Sequence, residues 1–470
     1  MKFSEMSDPD VAAVFAHQRK RALALRSSVA ADRIAALRRL ESGILRRRSA
    51  LYAAMAVDLH KPEAEVDLSE LMPVLAELRH ACHHLATWMA PRRVRPTRAT
   101  FGTAARVRPE PRGVSLIISP WNYPFNLTLG PLVSAIAAGC TAIIKPSEYT
   151  PHTSAVIAEI IAESFVRDDV ALFQGDADVA RSLLALPFDH VFFTGSPAVG
   201  KIVMAAAARH LTSVTLELGG KSPVVVDETA DLKRAARTIV WGKFSNNGQT
   251  CIAPDYAYVH QSRVDAFIEA ARSQITALYG DAARSPAYGR IVNSHHWARV
   301  TRLIDAARAG GATIHAGGSG DAAELFIPPT LMTGMAADAS IMQEEIFGPV
   351  LPIVSYSEIE TPIEAINAGA KPLALYIFTN DSTRAQRVIR ETSSGGACVN
   401  SVMTQYLHQN LPFGGVNDSG LGSTHGIYGF RAFSHDRAIL TDRYSATSLL
   451  FPPYTPRVTG MIKMAVRFLT

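Results

Sequence analysis

From Asp8 to about Met89 the apolar residues recur every three or four positions, as in VAAVFAHQRKRALALR and DRIAALRRLESGILRRRSALYAAM. That spacing places them on one face of a 3.6-residue repeat and predicts consecutive amphipathic helices. The pattern then changes. GVSLIISPWN, CTAIIKPSE, DVALFQG, HVFFTGS and VTLELGG are short β-rich runs closed by Gly, Pro or Ser, with helical stretches such as TSAVIAEIIAESF and AVGKIVMAAAARHL between them. Strands alternating with helices predict a parallel α/β sheet. A second alternating region runs from SPVVVDE through the helices DLKRAARTIVWGKF, RVDAFIEAARSQITALYG and WARVTRLIDAARAGG to strands around LPIVSYS and LALYIFT. Two such units predict two domains with a cleft between them. Neither an internal repeat nor a low-complexity segment is visible.

Composition narrows this picture. A chain of 470 residues exceeds what one hydrophobic core fills, so two or three domains are expected, discontinuous ones included. With 48% hydrophobic and 19% charged residues, disorder is excluded except at the ends. The net charge of +5 is concentrated in one place. Seven arginines, Arg92, Arg93, Arg95, Arg98, Arg106, Arg108 and Arg112, lie in the stretch from Pro91 to Arg112, which also holds four prolines. This reads as a solvated connector or exposed hairpin, not a nucleic-acid face. Arg46 to Arg48 read as the solvent face of a helix.

Cys82, Cys140, Cys251 and Cys398 show no CxxC spacing and no clustering, which excludes a disulfide framework and a zinc site and fits a reducing cytoplasm. Cys82-His83-His84 lies in helical surroundings, where adjacent side chains diverge, so surface or packing roles are expected there. The start of the chain, MKFSEMSDPD, lacks the apolar core of a signal peptide, and no run of 18 apolar residues exists to span a bilayer. In the tail, Met461, Ile462, Met464, Ala465, Val466, Phe468 and Leu469 are interleaved with Lys463 and Arg467. This segment can pack on the body or lie on a membrane surface; packing is the expectation.

In open parallel sheets ligands bind at the carboxyl ends of the strands. After CTAIIK come Lys145 and Glu148, a donor and an acceptor for ribose hydroxyls. After HVFFT comes the small-residue turn Gly195 to Gly200 entering a helix, where free N–H groups and the helix dipole suit a phosphate; routine turns look the same. Gly420 to Gly426 has the wrong spacing for a dinucleotide fingerprint and no preceding strand. Glu217 interrupts an apolar strand before Gly219-Gly220. Burial would push it toward the range of a general base, or it pairs with a neighbour such as Lys221. Cys251 follows FSNNGQT, whose Asn247-Gly248 permits a sharp reversal; it is either a nucleophile or an inert thiol. Asn122, in SPWNYPF, is either an oxyanion donor or a turn former.

Taken jointly these segments change the reading. Leu216-Glu217-Leu218-Gly219-Gly220-Lys221-Ser222-Pro223 and, 34 residues beyond the glutamate, Phe244 to Cys251 resemble the glutamate and cysteine signatures of the aldehyde dehydrogenase superfamily. In the family's order follow Pro120-Trp121-Asn122, Lys145-Pro146-Ser147-Glu148, Phe193-Thr194-Gly195-Ser196, Glu344 to Pro349 (EEIFGP) and Pro412-Phe413-Gly414-Gly415. The match runs from about Ala31 to Asp442. DLHKPE, WNYPFNLTLGPL, CIAPDY, KPLALYIF and RAFSH look most like the class 3 branch, which handles fatty and aromatic aldehydes, coniferyl aldehyde among them, with NAD or NADP.

The resemblance implies an α/β fold with a Rossmann-like cofactor domain, an α/β catalytic domain and a small β oligomerisation arm. It divides the chain into an NAD(P)-binding domain of residues 1–90 and 113–217 and a catalytic domain of 218–403. Residues 91–112 and 404–443 become oligomerisation and bridging segments, and 444–470 a tail. It implies that Cys251 attacks the aldehyde, that Asn122 and the Cys251 N–H hold the oxyanion, and that Glu217 activates water to hydrolyse a thioester. Ser119, Trp121, Lys145, Glu148, Thr194, Gly195, Ser196, Val199, Leu218, Gly219, Glu345 and Phe347 would hold the cofactor. Tyr123, Trp241 and Phe413 would line an apolar substrate tunnel. Glu148 should disfavour a 2′-phosphate, whereas Lys145 would tolerate one. No metal is implied; a homodimer is, with the hairpin near Phe101 as its arm. Asn417 and Gln174 stand where relatives usually carry glycine. Two other functions remain open: an acylating relative that uses coenzyme A, against which Glu217 counts, and a non-catalytic member of the fold.

Overall fold

The computed structural model describes residues 8–469, so the opening stretch MKFSEMS lies outside the described residues. The periodic N-terminal region forms the helices Asp8–Leu25, Ala30–Arg46, Arg48–Leu59 and Glu63–Val66. The last runs through a π-helical turn, Asp67–Leu71, into Met72–Met89.

The first β-rich region builds a six-stranded sheet. Its order is Gly420–Leu421, Ser213–Glu217, His190–Thr194, Val114–Ile118, Thr141–Lys145 and Val170–Leu172, parallel except for the first strand. Every residue of Val114–Ile118, Thr141–Lys145 and His190–Thr194 is buried, which is why these strands read as continuous apolar runs rather than alternating ones. Alternate side chains feed two cores. Ile117, Ile144 and Phe192 pack with Leu78, Leu129 and Ile157 of the helices on one face. Leu116, Ile143 and Phe193 pack with Phe15, Leu183 and Val203 on the other.

The second region forms a seven-stranded sheet. Its order is Thr313–Ala316, Thr330–Thr333, Val350–Tyr356, Tyr256–His260, Pro223–Val226, Ala374–Phe378 and Gly396–Val399, with only the first pair antiparallel. Tyr256–His260, Thr313–Ala316, Thr330–Thr333 and Gly396–Val399 were not expected from the residue pattern. They are four or five residues long and owe their conformation to neighbouring strands rather than to a local period. The arginine-rich stretch forms the expected hairpin, Arg92–Val94 against Thr103–Pro111. It gains a third strand, Ser434–Asp442, in a nine-residue antiparallel ladder.

A buried ion pair ties the helical region to the loop after the Val114–Ile118 strand. Lys61 Nζ lies 2.6 Å from Glu70 Oε1, and both side chains are almost completely enclosed. Lys61 also donates to the Asn122 carbonyl (3.2 Å), and Glu70 Oε2 accepts from the Asn126 N–H (2.9 Å). Lys61→Met, which leaves Glu70 buried without its cation, is expected to cost about 3–5 kcal/mol. Combined with Glu70→Leu the loss should be smaller than for either change alone; equilibrium denaturation of the single and double variants measures the coupling.

Candidate active site

Strand Ser213–Glu217 runs from half-buried to fully buried residues, so the pleat carries its last side chain, Glu217, into the interior. Lys221 does not pair with it. Its ammonium instead reaches Asp255 Oδ2 (2.5 Å) and the carbonyls of Ile341 and Glu344 (2.9 Å each). Glu217 Oε1 is buried without a partner, and desolvation alone pushes the carboxyl up to about 8. A carboxyl of that kind exchanges its proton near neutrality.

Cys251 is delivered by the turn after the helix Leu232–Phe244. Asn246, Asn247 and Gly248 adopt φ of 49°, 54° and 69°, three consecutive left-handed residues. A Cβ on Gly248 would meet the Gly348 carbonyl at 2.4 Å, so glycine is required there on two counts. Gln249, completely buried, locks the turn. Its Nε2 donates to the carbonyls of Asn246 and Arg290 (3.0 Å each), and its Oε1 accepts from Val292 N–H (3.0 Å). Nothing local marks Gln249 for this task, because its partners are set by the fold. Asn122 Nδ2 donates to the Gln249 carbonyl (2.9 Å), and Asn246 Nδ2 donates to the Asn122 carbonyl (2.9 Å). The Asn122 amide therefore sits against the segment that carries the thiol.

Burial raises the Cys251 thiol, and the Glu217 and Glu345 carboxyls add to the rise, while the backbone N–H groups of Cys251 and Ile252 oppose it. Glu345 is pushed up to about 8, chiefly by burial and then by Asp255, and accepts a backbone hydrogen bond from Gly220. A Cβ on Gly219 would lie 2.3 Å from the Glu345 carboxylate, so that glycine admits the carboxylate to the backbone. The loop carrying Glu345 is held from below: Asp255 Oδ1 accepts from Ile346 N–H (3.1 Å), and Arg299 donates to the carbonyls of Glu345 (3.1 Å) and Ile346 (2.5 Å).

Tyr123 and Trp241 line the same cavity as Cys251. It has a volume of about 340 Å³ and walls that include Leu68, Leu127, Leu278, Tyr279 and Met403. The Tyr123 hydroxyl meets Thr250 Oγ1 at 2.7 Å. Phe413 does not line this cavity: it packs one layer behind, edge-on to Tyr406 (4.8 Å between ring centres), and Tyr406 forms the wall. Leu68, Leu278 and Tyr406 also line the cavity, and because they lie on elements remote from the motifs no local signal in the sequence marks them.

The cofactor candidates collect at the carboxyl ends of the first sheet. Lys145 Nζ lies 2.7 Å from Glu148 Oε2. Ser196 caps the helix Pro197–Ala208 by accepting from Val199 N–H (3.4 Å). Gly195 N–H donates to the Glu217 carbonyl (3.0 Å), Leu218 N–H to that of Ser419 (3.1 Å), and Ser119 Oγ meets Thr128 Oγ1 at 2.6 Å. Trp121 lies edge-on to Phe347, 5.4 Å between ring centres, and Phe347 itself has φ of 45°. A dinucleotide fits this donor set: Thr194 Oγ1 is a buried hydroxyl with no partner in the chain, beside a capped helix N-terminus and a lysine–glutamate pair. Asn417 has φ of 55°, a conformation asparagine tolerates in place of glycine, and its Oδ1 accepts from Lys371 (2.8 Å). Among the described residues no group of three or more His, Cys, Asp or Glu side chains converges as a metal site.

Two parallel-sheet units, with a half-buried thiol, an unpaired Glu217 carboxyl and a largely apolar cavity, suit an oxidoreductase. The aldehyde dehydrogenase family model matches residues 1–439, and the chain belongs to that family. The 4,4'-diaponeurosporen-aldehyde dehydrogenase of Staphylococcus aureus is 42% identical over 92% of this chain and 93% of its own length. The dimeric NADP-preferring aldehyde dehydrogenase of Canis lupus familiaris is 42% identical over 92% of this chain and 94% of its own. The solved substrate-bound state of Staphylococcus aureus AldH matches with a TM-score of 0.92 at 40% identity, covering 97% of this chain and 99% of that one.

Because the folded protein holds the Glu217 proton more tightly than an unfolded chain, stability falls as pH rises from the ordinary value of 4.5 to about 8. Glu217→Gln removes that loss. Its thermal midpoint should exceed the parent's at about pH 9 and approach it at about pH 5, as read by calorimetry at a fixed scan rate.

Proposed function

We propose that this protein oxidises apolar aliphatic or aromatic aldehydes to carboxylic acids with NAD or NADP. One observation carries the reading: the Cys251 thiol stands at the wall of a largely apolar cavity, and the unpaired Glu217 carboxyl, on the smaller cavity behind, lies close enough to raise that thiol. The Staphylococcus aureus relative is named for an aldehyde, 4,4'-diaponeurosporen-aldehyde, which agrees with an aldehyde substrate here.

Burial holds Cys251 as the thiol at rest, so its proton passes to the Glu217 carboxylate, which sheds it before hydrolysis; the sulfur then bonds to the carbonyl carbon, and the carbonyl electrons move to oxygen. Asn122 Nδ2 carries two N–H groups; one holds the Gln249 carbonyl, and the other, with the Cys251 N–H, serves the oxyanion. When bound, the dinucleotide supplies the hydride acceptor. Glu217 then takes a proton from water as the water oxygen adds to the thioester carbon. The C–S bond breaks, and the acid departs. Lys145 and Glu148 would hold the adenosine ribose, Thr194, Gly195, Ser196 and Val199 the pyrophosphate, and Glu345 and Phe347 the nicotinamide ribose, with Ser119, Trp121, Leu218 and Gly219 shaping the cleft. Since Glu148 is held by Lys145 at 2.7 Å, a 2′-phosphate must compete with that carboxylate for the lysine. We infer for the dinucleotide-binding, catalytic and bridging segments the family division, supported by a sheet in each, with Gly420–Leu421 of the bridging segment joining the first sheet.

A homodimer is part of this reading. Ser434–Asp442 and Gly396–Val399 are edge strands with unpaired backbone groups, and Phe101 is 73% exposed at the hairpin tip. The Canis lupus familiaris relative is named as dimeric. Free cysteines agree with a cytoplasmic setting, and no described helix is long and apolar enough to cross a membrane. The tail helix Pro456–Leu469 lies near the Arg98–Thr100 turn with Met461, Ile462 and Ala465 half-buried. We assign it to packing; the side chains of Phe468 and Leu469 lie outside the described residues.

Cys251→Ala should abolish aldehyde oxidation while leaving dinucleotide binding, measured by fluorescence titration, intact. Glu217→Gln should give a burst of reduced cofactor followed by a steady rate slower by about 10²–10⁴-fold. Formation of acyl-CoA in preference to free acid would replace this reading with the acylating one. Leu68→Trp, on the cavity wall and 43% exposed, should lower kcat/KM for long-chain aldehydes more than for propanal.

A further inference from the structure

The hydrolytic step leaves a proton on a carboxyl that is 4% exposed, and each turnover must return that proton to solvent. Glu217 borders a second, much smaller cavity behind the substrate cavity, lined also by Glu77, Phe192, Tyr406, Thr424 and His425. Its volume of about 20 Å³ admits one water molecule. Two polar atoms of its lining residues, Glu217 Oε1 and His425 Nδ1, are buried with no partner in the protein. Glu77, on the Met72–Met89 helix, is anchored there by the Gly426 N–H at 2.7 Å. One turn further along that helix, His80 lies 3.1 Å from where a Cβ on Gly426 would sit, and its ring is 4.4 Å from that of His84. The i, i+3 and i+7 positions of Glu77, His80 and His84 share one helix face leading outward.

We propose that Glu77 is the proton exit of the hydrolytic step, reached from Glu217 through one water molecule that His425 orients. The Glu217 carboxyl gives its proton to the water, the water gives one to the Glu77 carboxylate, and Glu77 releases it toward His80, His84 and solvent. No bond other than O–H is made or broken, and no electron changes hands. Burial raises Glu77 to about 7, opposed by the Gly426 N–H, which suits a group that loads and unloads near neutrality. His425 is held down at about 4 by burial, so it accepts a hydrogen bond from the water without retaining the proton. The titratable groups around Glu77 are His80 on its own helix, His425 and Tyr406 from the C-terminal loops and Glu217 across the cavity. The adjacent Asn126–Ala138 helix carries no ionisable residue, and on the Ala30–Arg46 helix Glu41 is taken up by Arg79. Glu77 is a positioning residue for the proton, not a group that touches substrate.

The inference rests on Glu217 as the base, and the test separates the two. An activated ester, p-nitrophenyl acetate, acylates Cys251 without a dinucleotide, so the nitrophenolate burst reports acylation and the steady rate reports hydrolysis. Glu77→Gln, which still accepts from Gly426, should keep the burst and slow the steady rate about tenfold. Added imidazole should restore much of that rate in the variant and little in the parent, a rescue that a merely structural role would not show. His425→Gln should slow the same step, which keeps the proposal open to refutation if Glu77→Gln fails to fold. An unchanged steady rate in a folded Glu77→Gln or His425→Gln protein, or a slowed rate without imidazole rescue, overturns the relay. If Glu217→Gln itself leaves hydrolysis unchanged, the base assignment falls and the relay with it; if Glu217→Gln alone is slow, the base stands and the relay falls.

Discussion

The arrangement of the site depends on the enclosed pair Lys61–Glu70. Its 2.6 Å contact anchors a chain of hydrogen bonds that runs from Lys61 to the Asn122 carbonyl, from the Asn122 amide to the Gln249 carbonyl, and so to Cys251 two residues later. Three stretches far apart in sequence meet along that line: the helical region near residue 61, the loop after the Val114–Ile118 strand and the turn after Phe244. An enclosed ion pair is weak as a source of net stability, since desolvation offsets most of the attraction, but losing one partner is costly. That asymmetry suits a register device. The way the loops meet places an amide donor against the segment that carries the thiol.

The same desolvation sets the chemistry. Glu217, Glu345 and Cys251 are held above their ordinary values by burial, and their mutual repulsion adds to the effect on the thiol. Of the basic groups nearby, Lys221 is spent on Asp255 and two carbonyls, and Lys243, buried 3.8 Å from Asp255 without a hydrogen bond, is lowered by burial to about 8. Had Lys221 paired with Glu217, the carboxylate would have been stabilised as an anion and would be a weaker base. By binding Asp255 instead, the lysine fixes the loop that presents Glu345 and leaves Glu217 free to exchange a proton.

The periphery follows a different logic. The arm sheet and the outer strand of the second sheet end in unpaired edges, with Leu440 and Phe101 exposed. Edges of this kind are normally covered or blunted. The arginines along the hairpin serve that second purpose on the free chain, since like charges on Arg92 and Arg93 resist casual strand addition.

Much of this protein was legible in its residue pattern. The buried strands of the first sheet, the helices around them, the arginine hairpin and the reversal at Asn247-Gly248 are local signals, each set by side-chain period or by a φ that few residues accept. The motifs around Glu217 and Cys251 named the groups from which chemistry was expected. What only the tertiary structure decided is how those groups are partnered. Lys221 is four residues from Glu217 yet bonds Asp255; Phe413 lies in a family motif yet packs behind Tyr406; Glu77 and Gly426, 349 residues apart, meet at 2.7 Å beside Glu217. Such pairings depend on which distant surfaces fold together and which charges lose their water, and neither is encoded in a local window.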